Sequence, residues 1–184
     1  MIKIEKRVAR SKSKGIALAA ILAALYAADV VFFAPISFQV IQVRVADALL
    51  PLSIIFGPPA IVGLTIGVFL GNLYASPFGA IDIVGGTIAN LVATSLAWYI
   101  GKRRFSGAWV TAILAEVLAV SLIVGSYLAG LTGTPIWLMP LEIGAGEIVA
   151  VGFGGYVLLS AVTRVMGRTA TVLPSAVTVQ QETS

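Results

Sequence analysis

Ionisable side chains in this chain stand in a few tight groups, and the stretches between them are apolar for long enough to cross a bilayer. A spanning helix needs about 20 such residues, because the hydrocarbon core is about 30 Å thick and each helical residue rises about 1.5 Å. The basic groups are Lys3, Lys6, Arg7, Arg10, Lys12 and Lys14 at the start, Lys102, Arg103 and Arg104 in the middle, and Arg164 and Arg168 near the end. With 59% hydrophobic and 11% charged residues in 184, the chain has room for five or six spans and little else. A mean hydropathy of +1.02 agrees. The fold class is therefore an all-α integral membrane protein with one domain.

Six transmembrane helices put all three basic groups on one side, and the positive-inside tendency makes that side cytoplasmic. Five would strand one group outside. The expected organisation is a basic cytoplasmic arm over residues 1–12, a six-helix transmembrane domain over 13–167 and a disordered cytoplasmic tail over 168–184. A basic N-terminus also suits a nucleic-acid-binding arm. Beside an apolar span the topological reading is preferred, and no nucleic-acid partner is expected. No cleavage-like site is followed by a soluble domain, so the first helix is read as part of the mature chain.

The residues that are missing narrow the chemistry. With no cysteine and no histidine, disulfides, thiolate or imidazole metal sites and Ser-His or Cys-His nucleophiles are excluded. There is no phosphate-binding GxxxxGK[ST] loop, so this chain does not itself power transport by hydrolysing ATP. No cofactor, metal or enzymatic activity is expected.

The first helix is predicted from about Ser13 to Phe33. Its alanines at 19, 23 and 27, and again at 20, 24 and 28, make two small-residue stripes that allow close helix approach. They suit either packing within the bundle or docking of a partner subunit. Ala34 to Val43 alternates apolar and polar residues and reads as an extended loop over the bundle mouth. Arg44 to Phe56 is too short to span alone and contains Pro51, which suggests a tilted or broken helix beside a cavity. Helices are expected from Gly57-Pro58-Pro59 to about Tyr74, from Ala80 to Ile100, from Gly107 to Leu131 and from Ile136 to Met166. Glycines at 63, 67 and 71 stripe the first of these.

Polar residues inside these spans are the candidate site, since a charge at bilayer depth costs about 2.5–3.5 kcal/mol on insertion scales. Arg44 and Asp47 share a face at helical spacing. With the six-span topology, Gln39, Gln42, Arg44, Asp47, Asn72, Asp82 and Glu142 fall in the outer half. Asn90 and Glu147 lie deeper, and Glu116 rises from the inner side. Each also has a plain structural role open to it: Arg44 neutralising Asp47, Asn90 bonding a neighbouring helix, Asp82 favouring the positive end of its own helix. Convergence from several segments favours a binding pocket opening outward. The excess of carboxylates over Arg44 favours a neutral or cationic polar solute.

Three stretches, VRVADALLPL (43–52), GVFLGNLYASPFGAIDIVGGTIANLVA (67–93) and LEIGAGEIVAVGFGG (141–155), resemble the substrate-capture (S) components of energy-coupling-factor (ECF) transporters, specifically the QueT-like branch. The resemblance covers about residues 13 to 167. It implies a six-helix S-component bundle in the cell membrane of a prokaryote. It also implies partnership with a transmembrane coupling subunit and two ATPase subunits, and capture of a queuosine precursor of the 7-deazaguanine class. By family likeness the docking face is the alanine stripe, Ala19, Ala20, Ala23, Ala24, Ala27 and Ala28. Arg44, Asp47, Asn72, Asp82 and Glu147 match polar positions of the family pattern. The chain departs from it at Asp47, where Glu is expected, at Glu142, where Gln is usual, and at Glu116, where an amide is typical. The alternative reading is a stand-alone proton-coupled carrier working through Glu116 or Glu147. An intramembrane enzyme using Asp47 and Asp82 has no motif to support it.

Overall fold

The computed structural model describes residues 2–37, 43–103 and 105–172, with side chains over 12–35, 43–103 and 105–167. Every regular element among them is helical: α1 (Ile2–Phe32), α2 (Ala34–Ser37), a 3₁₀ helix (Val45–Leu52) running into α3 (Ser53–Phe56), α4 (Pro58–Ala75), α5 (Gly79–Gly101), α6 (Ala108–Thr132), α7 (Met139–Glu147), a π helix (Ile148–Gly155) and α8 (Tyr156–Val172). Five stretches are long and apolar enough to cross a membrane: Lys12–Phe32, Pro58–Ala75, Gly79–Gly101, Ala108–Thr132 and Met139–Gly167. The sixth apolar stretch, Val45–Phe56, is the shorter one foreseen around Pro51. The first helix starts earlier than expected, at Ile2, and the last continues through Val172 into the segment read as a tail. Of the loop expected over Ala34 to Val43, Ala34–Ser37 is a helical turn instead, and residues 38–42 lie outside the described residues.

The alanine and glycine stripes explain one another. A Cβ built on Gly63 would stand 2.5 Å from the Ala19 carbonyl oxygen, one on Gly67 2.7 Å from Tyr26 Cβ, and one on Gly71 2.9 Å from Val30 Cβ. So α4 and α1 touch nearly backbone to backbone, and only glycine allows it. This contact divides the alanines of α1. Ala23 is buried and Ala19 and Ala27 half-buried toward the bundle, whereas Ala20, Ala24 and Ala28 are exposed. The reason is the 3.6-residue turn, which sends two adjacent i, i+4 stripes to different flanks.

The short segment departs from α geometry in a useful way. Eight residues wound as 3₁₀ rise about 16 Å rather than about 12 Å, so the segment reaches deeper for its length. It packs against the π helix, where a Cβ on Gly155 would fall 2.6 Å from Pro51 Cγ and one on Gly154 3.4 Å from Ala48 Cβ. The run Gly152-Phe153-Gly154-Gly155 thus gives two irregular segments room to cross. The turn into α4 is made by Gly57 at φ 62°, a conformation that costs an L side chain. Around these contacts the apolar core joins Leu22, Leu50, Leu64, Val120, Ile143 and Val151 with the small residues Ala89, Ala93 and Ala97 of α5. At the end of α5, Lys102 Nζ sits 4.5 Å from the Trp98 ring and Arg103 4.5 Å from the Tyr99 ring. These are cation–π contacts that anchor a basic end.

Candidate functional site

Arg44 ends the chain before the 3₁₀ helix with extended backbone, φ −87° and ψ 96°. The Asp47 N–H then donates to the Arg44 carbonyl at 3.0 Å, which closes the first turn. Arg44 thus stands just outside the 3₁₀ helix, one turn before Asp47. Both are buried.

Five other elements converge on this pair. From α1, the fully buried Tyr26 donates its hydroxyl to Asp47 Oδ1 and accepts a 2.9 Å bond from Asn90 Nδ2 of α5. From α7, Glu147 brings its buried carboxyl beside that of Asp47. From α4, Asn72 Nδ2 donates to the Asp82 carbonyl at 3.2 Å. From α5, Asp82 accepts from Ser76 Oγ at 2.5 Å and, on its other oxygen, from Tyr127 of α6 at 2.6 Å. Gly86, one turn past Asp82, leaves the space that these side chains occupy. A Cβ there would stand 2.6 Å from Asn72 Nδ2 and 3.8 Å from Arg44 Nη1.

Around Arg44 stand the acidic groups Tyr26, Asp47 and Asp82. Its guanidinium is the cation of a cluster that otherwise holds carboxyls. Below, Glu116 of α6 is fully buried and accepts a 3.4 Å bond from Ser53 Oγ. Three buried oxygens have no hydrogen-bond partner among the described residues: Asn72 Oδ1, Glu116 Oε2 and Glu147 Oε2. Leaving a buried polar atom unpaired costs about 1–3 kcal/mol, and a solute carrying N–H or O–H donors would relieve that cost. No group of acidic side chains among the described residues is arranged to hold a metal ion.

Of the residues singled out from sequence, Arg44, Asp47, Asn72, Asp82, Asn90 and Glu147 come together here. Glu142 is half-buried in the first turn of α7. At five residues from Glu147 it lies about 140° around the helix. Gln39 and Gln42 lie outside the described residues. The sequence reading passed over Tyr26, Ser53, Ser76 and Tyr127, which supply most of the donors to the carboxyls. One signal was available for the tyrosines, since a phenol inside a span must find a partner.

Comparison with known proteins adds one result. A family model described as QueT transporter matches residues 16–164, which includes every member of the cluster. The comparisons with curated proteins and with solved structures gave no match.

Proposed function

The chain belongs to the QueT transporter family, and from that premise we propose that it is the substrate-capture subunit of an ATP-driven uptake transporter in a prokaryotic cell membrane. In this reading six segments traverse the bilayer, with Val45–Phe56 as the short one, and both termini are cytoplasmic. The solute enters from outside and meets Arg44, Asp47, Asn72, Asp82 and Glu147, with Asn90 behind them and Glu142 toward the mouth. It is a small polar heterocycle of the 7-deazaguanine class, a queuosine precursor. The exposed stripe Ala20, Ala24 and Ala28 docks the transmembrane coupling subunit, which is joined to two ATPase subunits. A stripe of small residues facing outward from the bundle suits close approach of another helix.

The observation that carries this reading is the buried polar cluster, built from separate helices, with the Asn72 and Glu147 side chains each keeping an oxygen that has no partner among the described residues. The binding test is mass spectrometry of small molecules that co-purify with the protein, followed by titration with 7-aminomethyl-7-deazaguanine. Recovery of a deazaguanine and co-purification of an ATPase module support the proposal. An empty protein that binds neither solute nor ATPases overturns it.

A stand-alone proton-coupled carrier is favoured by one feature, the fully buried Glu116 with an unpaired oxygen beneath the cluster. It predicts uptake into vesicles containing only this chain, abolished when the proton gradient is collapsed. Uptake that requires added ATPase subunits and ATP excludes it.

A further inference from the structure

Tyr26 sits on α1 in an unusual position: fully buried, on the flank opposite the exposed alanines, with its hydroxyl in the middle of the polar cluster. Ala24 and Ala28 are each two residues away, which places them about 160° around the helix from the phenol. The hydroxyl both donates, to Asp47, and accepts, from Asn90. It therefore joins three elements, α1, the 3₁₀ helix and α5, in one polarised chain, an arrangement in which each bond strengthens the next. The ring has little freedom to swing, because Gly67 of α4 backs directly onto its Cβ. A displacement of the Asp47 carboxylate must therefore move either the phenol or the helix that carries it.

We infer that Tyr26 is a positioning residue that holds Asp47 for the solute and transmits the state of the site to the outward alanine face of α1. The inference rests on the binding site proposed above, but the link from Asp47 to α1 stands whatever solute is bound. Tyr26→Phe removes one hydroxyl and keeps the ring. Loss of a hydrogen bond to a charged group weakens an interaction by roughly tenfold to a hundredfold. The structure thus expects affinity for 7-aminomethyl-7-deazaguanine to fall by at least about tenfold in Tyr26→Phe. In an Asp47→Asn background the same change should cost less than about twofold, since Tyr26 acts through Asp47.

The second readout needs no solute. The chain has no cysteine, so Ala24→Cys accepts a single environment-sensitive bimane label. Introducing Asp47→Asn should shift the label's emission when Tyr26 is present and leave it unchanged when Tyr26→Phe is also present. If Tyr26→Phe fails to fold, 3,5-difluorotyrosine at position 26 keeps the ring and makes its hydroxyl a stronger donor to Asp47, so it should enlarge the label shift caused by Asp47→Asn, and an unchanged shift counts against the inference. If the wild-type protein does not bind the deazaguanine, the substrate reading falls and the label experiment alone decides the inference. A label shift that persists without the Tyr26 hydroxyl, or equal costs of Tyr26→Phe in the two backgrounds, overturns it.

Discussion

Gly86→Ala is the sharpest perturbation of the cluster, because it adds one methyl where the structure has space for none. The new carbon would lie 2.6 Å from Asn72 Nδ2, where ordinary contact begins at 3.4 Å. The Asn72 amide must therefore retreat by about 0.8 Å, which takes its 3.2 Å bond to the Asp82 carbonyl out of hydrogen-bond reach. That forfeits about 1 kcal/mol for the bond and about 1–3 kcal/mol for an amide left buried without a partner. Replacing glycine within a helix returns at most about 1 kcal/mol. The expected net loss is about 1–3 kcal/mol in stability, with weaker solute binding because Arg44 Nη1 lies on the same side of Gly86. Unfolding in detergent and a binding titration measure the two effects. Gly130→Ala is the control, since a Cβ there meets nothing within 4 Å. If Gly86→Ala unfolds and binds like Gly130→Ala, the account of Asn72 and Arg44 packed over Gly86 is refuted.

Removing the cation should be more costly than crowding it. Arg44→Ala leaves Asp47 and Asp82 buried without their guanidinium and is expected to destabilise by about 3–5 kcal/mol, read as a loss of midpoint in chemical unfolding. Asp47→Asn should weaken solute binding while the protein still folds, as monitored by gel filtration and titration. Tyr127→Phe removes the 2.6 Å bond to Asp82 and should cost about 1.5–3 kcal/mol of stability, again seen by unfolding. At the docking face, Ala24→Trp should block co-purification with the coupling subunit and leave solute affinity unchanged. Ala23→Leu, which crowds Gly67, should instead lower the unfolding temperature of the isolated subunit.

Hydropathy and charge, read along the chain, were enough to establish an all-helical membrane protein, the five long spans, the short segment around Pro51 and the polar positions worth watching. Those properties are local, because a residue's cost in hydrocarbon and its place on a helical period depend on a few neighbours. How the helices rotate and pair was not readable that way. Only the packing of α4 on α1 decided which alanines face inward, since that depends on Gly63, Gly67 and Gly71, about 40 residues distant in sequence from their contacts. The short segment is wound as 3₁₀, the last span is interrupted by a π helix, and Asp47 and Glu147 meet where these segments pack together. Hydropathy carries no trace of either hydrogen-bond register. Tyr26 shows the difference most plainly: its sequence neighbourhood is alanine and leucine, and its partners Asp47 and Asn90 come from elements that only the tertiary fold sets beside it.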